Sequence, residues 1–184
     1  EVRNGHGLTV GSEASGGMRN ITWRDIFING LGGPQAPGRR KKPGAVGGIH
    51  FKTGRGRGGV WEDITWEGIH GNFATALYGF GENHGSDYNQ TLGPTNATGT
   101  PVIRNMLIKD VALTDVMGSA SLFSLAEAPI ENFTLLNVSW SAHKGVKAGY
   151  TCTGWNGTKQ VAGMFATGRA VELTPALPST CAFL

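Results

Sequence analysis

Two stretches of the chain, RNITWRDI (residues 19–26) and EDITWEGI (residues 62–69), share one pattern, and RNMLIKDV (104–111) and ENFTLLNV (131–138) repeat it. Each reads polar, Asn or Asp, apolar, any residue, apolar, polar, polar, apolar. The central alternation is typical of a strand, and β-branched and aromatic residues dominate it. Trp23 and Trp66 share one position of the pattern, which predicts a stacked row of side chains rather than a sugar platform.

A second, shorter strand is predicted ahead of each copy: GLTVG (7–11), GIHFK (48–52), ALYGF (76–80) and SLFSL (121–125). No two-strand unit could bury its own apolar face, so stacking of the units is the natural solution. The sequence therefore predicts an all-β, right-handed parallel β-helix of about four coils, with the recurrent Asn and Asp at corners, bonded to turn backbone. A β-sandwich is the alternative, because short strands separated by turn signals also describe that class.

Composition agrees with this fold and bounds the domain organisation. The chain has 184 residues, enough for one domain over residues 1–184, and its 30 glycines disfavour long helices. Its apolar runs fall short of the roughly 18 residues that a spanning helix needs, so no membrane span is expected. Residues 146–184 are predicted to form a disulfide-tied C-terminal tail.

Six N-glycosylation sequons and two cysteines suggest a secreted, extracellular protein of the cell wall or matrix. Chance sequons in a cytosolic protein are the alternative. In a secreted chain, a Cys152–Cys181 disulfide is favoured over two free thiols, and the spacing fits no zinc motif. The sequon asparagines are Asn20, Asn89, Asn96, Asn132, Asn137 and Asn156.

The formal net charge is +3 and the pI is about 9.0, with the basic residues concentrated in two places. One is RRKK (39–42), and the other is the pair Arg55 and Arg57. Prolines and glycines bracket the first run, which favours a solvated loop. Aromatic residues for base stacking are absent from the cluster, so an acidic polysaccharide is a better partner than nucleic acid.

Two glycine-rich stretches stand out, GHGLTVGSEASGG (5–17) and GIHFKTGRGRGG (48–59). Glycine on both sides of His6 removes side-chain bulk and lets backbone, or a ligand, approach the imidazole. Ser12 and Glu13 are predicted to tie the following turn by bonding its backbone.

These two stretches, in this order, resemble the C-terminal half of the polygalacturonases, family twenty-eight of the glycoside hydrolases. The resemblance covers essentially the whole chain, including the region of Cys152 and Cys181. It implies a parallel β-helix with a cleft over one sheet and inverting hydrolysis of galacturonan, with no cofactor and no metal. Inversion needs a carboxylic acid and a carboxylate roughly 6.5–9.5 Å apart.

The resemblance also implies roles for individual residues. His6 takes the place of the histidine that adjusts protonation of the catalytic acids, and Lys52 that of the lysine pairing with the substrate carboxylate. His50 stands where the family has arginine, and Arg55 or Arg57 is predicted to compensate. Tyr78, with Tyr88 second, is the candidate for the cleft tyrosine. The structural alternatives are a histidine held in a glycine turn, a solvated lysine at a strand end, and tyrosines used for packing.

The aspartates of the family come from Asn-Thr-Asp and Asp-Asp motifs, and neither motif occurs in this chain. Without an acid and a base the chemistry is lost, however well the rest binds. We expect either a fragment whose missing N-terminal half completes the enzyme, or a non-catalytic relative that binds carbohydrate or serves as a structural subunit. In both cases the partner, the N-terminal half or another subunit, is expected at the open end of the β-helix.

Overall fold

The computed structural model describes residues 1–3, 6–11, 14–30, 46–72, 74–81 and 99–184, without the side chains of residues 46 and 78–81. Several expectations therefore fall outside the described residues. They concern Ser12, Glu13, the basic run 39–42, Tyr88, Asn89, Asn96 and the side chain of Tyr78.

Eleven strands make up most of the described chain. They are β1 (Leu8–Val10), β2 (Gly17–Asn29), β3 (Val46–Lys52), β4 (Val60–Asn72), β5 (Ala74–Gly81), β6 (Val102–Val116), β7 (Ala120–Leu125), β8 (Ile130–Ala142), β9 (Tyr150–Asn156), β10 (Lys159–Ala162) and β11 (Ala166–Thr174), followed by a 3₁₀ turn at Ser179–Cys181. In this part of the chain, no helix is long and apolar enough to cross a membrane.

The strands form two sheets that the chain visits in turn. One sheet has the order β1-β3-β5-β7-β9-β10 and the other β11-β8-β6-β4-β2. All neighbours pair in parallel except β9 and β10, which form an antiparallel hairpin. The fold is a parallel β-helix, as predicted, and the parallel pairing excludes the antiparallel sandwich alternative. A fifth coil, made of β9 in one sheet and β11 in the other, extends the four repeat units that the sequence predicts.

The register of the long strands follows the repeat pattern residue by residue. Trp23 pairs with Trp66 and Trp66 with Ile108, so the predicted row of stacked positions is confirmed. The inward side chains of β4, β6 and β8 are at most 5 % exposed. The core thus consists of apolar rows that run along the stack: Ile64–Met106–Phe133, Trp66–Ile108–Leu135 and Ile69–Val111–Val138.

The recurrent Asn and Asp residues bend the long strands. Asn20, Asp63, Asn105 and Asn132 have φ of 57°, 56°, 56° and 52°, a left-handed conformation that Asn and Asp tolerate better than most residues. The side chains of Asp63, Asn105 and Asn132 bond each other along the stack, whereas the sequence predicted bonds to turn backbone. Asn105 Nδ2 donates to Asp63 Oδ1 at 2.9 Å, and Asn132 Nδ2 donates to Asn105 Oδ1 at 3.0 Å. We call this stack the asparagine ladder.

The C-terminal end of the stack is closed by the last residues of the chain. The Cys152–Cys181 disulfide is present and ties β9 to the 3₁₀ turn. The ring of Phe183 packs against Phe133 with centroids 6.0 Å apart, and the backbone N–H of Leu184 donates to the carbonyl of Ala166. Apolar rows that would otherwise end at solvent are covered here.

At the opposite end of the stack, β2 is the last strand of its sheet among the described residues. Ile21, Trp23 and Ile26 continue the apolar rows, but their side chains are only partly buried. On the outer face, Arg19 and Arg24 pair with Glu62 and Glu67 of β4 and remain 65 % and 63 % exposed. Val2 covers one point of this edge, where it pairs in parallel with Ile28.

Candidate functional site

The parallel pairing of the strands places the candidate residues on the outer face of the β1-β3-β5 sheet. Thr9 of β1 lies opposite His50 of β3, and His50 lies opposite Tyr78 of β5. Because side chains alternate along a strand, His50 and Lys52 point away from the core, into which Ile49 and Phe51 of the same strand point. Thr9, His50 and Lys52 thus share one face of the sheet, which we call the outer face.

The glycines of the two motifs let the strands approach each other closely. Gly7 has a φ of 72°, and a Cβ built on it would lie 1.7 Å from the carbonyl oxygen of Gly47 and 2.3 Å from that of Gly48. A Cβ on Gly47 would in turn lie 2.5 Å from the carbonyl oxygen of His6. At Gly7, the backbone of Gly47 and Gly48 makes this close approach.

This approach brings two histidines together. The rings of His6 and His50 lie with centroids 5.9 Å apart and planes tilted by 41°. His6 is exposed, and its carbonyl accepts a hydrogen bond of 2.8 Å from Thr9 Oγ1, which fixes the turn into β1. His50 is only 1 % exposed. A substrate group can therefore reach the imidazole of His6 but not that of His50.

Lys52 occupies an unusual environment for a lysine. It is 9 % exposed, so the alternative of a solvated lysine at a strand end is wrong. Among the described residues, no carboxylate lies within ion-pair distance of its ammonium group. Burying an ammonium ion without a counter-charge costs free energy, so an anion arriving at this position would be favoured.

The two arginines that follow β3 have different surroundings. Arg55 is 4 % exposed and forms a two-pronged ion pair with Glu127, from Nε to Oε1 at 2.6 Å and from Nη2 to Oε2 at 3.0 Å. Its guanidinium fork is thus already occupied by a carboxylate from the loop between β7 and β8. Arg57 lies in the turn, where its backbone N–H donates to the carbonyl of Gly54.

Carboxylates are distributed unevenly between the two sheets. None of β1, β3, β5, β7 and β9, the strands of the outer face, contains Asp or Glu. The acids of the described chain lie on the other sheet or in connections, as Glu127 does. In the described residues, no group of three His, Cys, Asp or Glu side chains is arranged to hold a metal ion.

Sequence reasoning did not find Glu127 or Thr9. Glu127 is 72 residues away from Arg55, and no spacing rule links the two. Thr9 could have been found from the strand alignment, because it stands at the position of His50 in the repeat unit before it.

Among curated proteins, the chain is similar to a probable polygalacturonase of Vitis vinifera, with 28% identity over 148 residues. The aligned part is 79% of this chain and 26% of that relative. The chain therefore spans about a quarter of the relative's length. No family model matches the chain, and no solved structure matches it.

Proposed function

We propose that this chain is the substrate-binding part of an extracellular, polygalacturonase-like glycoside hydrolase that acts on a galacturonan-type polysaccharide by inversion. The observation that carries the proposal is the buried Lys52, without a carboxylate partner in the described chain, on the same face as the exposed His6. A polymer with one carboxylate on each sugar supplies the missing counter-charge. The similarity to a probable polygalacturonase points to the same class of polymer and to the plant cell wall as its location.

In this mechanism Lys52 binds a substrate carboxylate as a point charge. His6 lies in the turn that leads into the edge strand β1, and its role is to adjust the protonation of the catalytic acids. Arg55 acts indirectly, since its pairing with Glu127 holds the turn after β3 in place. Tyr78 lies opposite His50 in register and is the candidate for the tyrosine of the cleft, and Arg57 follows Arg55 in the same turn.

The acid and the base must come from outside the described strands of the outer face, because those strands carry no Asp or Glu. A strand that paired with the free edge of β1 would extend this face and place its side chains beside His6. We therefore locate the catalytic carboxylates on coils that stack on the open end, roughly 6.5–9.5 Å apart as inversion requires.

The open end favours one kind of occupant, a further parallel coil. The rows of charged side chains on this sheet alternate in sign, as in Arg19–Glu62–Arg104. In the row that contains Glu67, the hydrogen bond from Lys109 lowers the pKa of the Glu67 carboxyl. A strand that continues the pairing of Val2 with Ile28 would complement β2 if it carried acids opposite Arg19 and Arg24. It would also need apolar residues opposite Ile21, Trp23 and Ile26. In this proposal the strand is supplied by an N-terminal half of the protein or by another subunit.

Substitution of Lys52 tests whether this side chain binds the substrate carboxylate. Lys52→Met is expected to weaken binding of a short galacturonate oligomer by about 10- to 100-fold, because a charge-assisted bond contributes roughly 1.5–3 kcal/mol. Lys159→Met, at an exposed position of β10, should leave the affinity unchanged. Calorimetric titration at two salt concentrations measures both, with the methyl-esterified oligomer as a ligand that lacks the charge. Equal affinities for the Lys52→Met variant and the parent would refute the proposed role.

Extension of the chain tests the open end. The variant replaces Glu1 with a copy of residues 60–70, VWEDITWEGIH. When Val2 keeps its place opposite Ile28, the two glutamates of this extension face Arg19 and Arg24. We expect amide hydrogen exchange in β2 to slow by about tenfold or more, because an edge strand becomes an inner one. A matched extension with lysine in place of both glutamates should protect β2 less. Unchanged exchange with the glutamate extension would show that β2 does not accept a further coil.

A second function, a non-catalytic binding or structural subunit, is favoured by one specific observation. His50 replaces the arginine of the resembling motif, and its 1 % exposure keeps it from contacting a sugar. If the complete protein, extended by whatever covers β2, binds the oligomer but releases no reducing ends from polygalacturonate, this second function is the correct one. Release of reducing ends, lost when an acid next to β1 is replaced, supports the hydrolase.

A further inference from the structure

Three of the four sequon asparagines that the structure describes are exposed alike but differ in what their Nδ2 atoms contact. Asn132 and Asn137 belong to β8, an inner strand of the sheet β11-β8-β6-β4-β2. Asn156 ends β9, where the chain turns into β10. The sequence treats the three as equivalent acceptors, whereas the structure does not.

Asn132 is part of the asparagine ladder. Its φ is 52°, and its Nδ2 donates to Asn105 Oδ1 at 3.0 Å. On the other side, its backbone N–H donates to Thr167 Oγ1 of β11 at 3.1 Å. Asn132 is exposed, but its Nδ2 is engaged by the coil on one side and its backbone N–H by the coil on the other.

Asn137, also exposed, donates from Nδ2 in the same way one bend further along β8. Its φ is 51°, and its Nδ2 donates to Asp110 Oδ1 at 2.8 Å. The hydroxyl of its own sequon is also engaged, since Ser139 Oγ donates to the carbonyl of Val111 at 3.3 Å. Glu172 of β11, with a φ of 56°, continues the stack on the other side.

Asn156 stands at the tip of the β9–β10 hairpin. It pairs with Lys159, so Gly157 and Thr158 form a two-residue turn, in which Gly157 has a φ of 61°. Asn156 and Thr158 are both exposed, and a Cβ built on Gly157 would meet no atom within 4 Å. No described side chain bonds the Asn156 amide, so its nitrogen can carry a large substituent into solvent.

We propose that Asn156 carries an N-linked glycan, and that Asn132 and Asn137 stay unmodified because their amide groups build the ladders between coils. In the transfer, Nδ2 loses a proton and forms a bond to C1 of an oligosaccharide, while the bond from C1 to the diphosphate of its lipid carrier breaks. At Asn156 the product projects from the hairpin. At Asn132 or Asn137 the sugar would have to be attached to a nitrogen that already donates to the neighbouring coil. This assignment does not depend on the substrate of the protein.

Site mapping in secreted protein tests the proposal. The chain is expressed behind a signal peptide in a eukaryotic host, so that passage through the secretory pathway is supplied whatever its natural location. Enzymatic release of glycans in ¹⁸O water marks each formerly glycosylated Asn as labelled Asp for mass spectrometry. We expect label at residue 156 and none at residues 132 and 137.

Hydroxyl substitutions separate the sequons from the ladders, since they leave each asparagine in place. Thr158→Ala should remove the mass of one glycan, whereas Thr134→Ala and Ser139→Ala should leave the mass of the glycans unchanged. Label at residue 132 or 137 in folded, secreted protein would overturn the proposal, as would an unmodified Asn156 in that protein. Because no galacturonan is involved, failure here is distinct from failure of the proposed function.

Discussion

Replacement of Trp66 by alanine is expected to lower the free energy of unfolding by about 3–5 kcal/mol. The indole is fully buried in β4, in the row that pairs with Trp23 on one side and Ile108 on the other. Its removal leaves a cavity that coils on both sides cannot fill, because backbone pairing fixes their separation. Since domains are commonly stable by only about 5–15 kcal/mol, this loss would be a large share of the total.

Trp23→Ala is the matched control, because Trp23 occupies the same position of the repeat one coil earlier. Its side chain is half-buried and has a neighbouring coil on one side only, so we expect a smaller loss of about 1–2 kcal/mol. Urea unfolding of both variants measures the difference. Equal losses would mean that burial between two coils contributes nothing at Trp66, contrary to a stacked core.

The repeat pattern of the sequence predicted the four coils and the register of their long strands because one face is buried. A slip by one residue would turn every apolar side chain of a strand to the other face, so the alternation in RNITWRDI and EDITWEGI determines the pairing. The fifth coil was not predicted, for a local reason. In β11, Thr167 and Gly168 stand where β8 has Asn132 and Phe133, so the recognisable part of the pattern is missing.

The candidate site was less predictable than the fold. Alternation along β3 placed Lys52 on the outer face, but its burial depends on what packs over that face, which strand periodicity does not specify. The pairing of Arg55 with Glu127 joins two turns that are distant in the chain, and only the stacking of coils brings them together. Motif resemblance therefore identified candidate residues, whereas their charge partners required the structure.

Replacement of Gly7 by alanine is expected to destabilise the protein by about 2–5 kcal/mol and to abolish the arrangement of His6 and His50. A left-handed φ costs a residue with a Cβ about 1–2 kcal/mol, and overpacking in a fixed space costs about 1–3 kcal/mol more. The obstructing atoms are backbone carbonyl oxygens of Gly47 and Gly48, which cannot move by changing rotamer. Relief therefore requires β1 to move away from β3, and His6 moves with it.

Two other glycines separate the contributions of strain and crowding. Gly56 has a φ of 89° but open space around its Cβ position, so Gly56→Ala should show the conformational cost alone, about 1–2 kcal/mol. Gly16 has neither a left-handed φ nor a close neighbour, so Gly16→Ala should change the free energy of unfolding by less than about 0.5 kcal/mol. Urea unfolding of the three variants gives the comparison.

Oligomer binding shows whether the close approach at Gly7 serves the site as well as the fold. Below the unfolding transition, Gly7→Ala should lose affinity for a galacturonate oligomer that Gly16→Ala retains, because β1 borders the face on which Lys52 lies. A destabilised variant with unchanged affinity would limit the glycine to a structural role. Loss of both would mean that the approach of β1 to β3, which sets the His6–His50 distance of 5.9 Å, also keeps the outer face in a shape that a polysaccharide can bind.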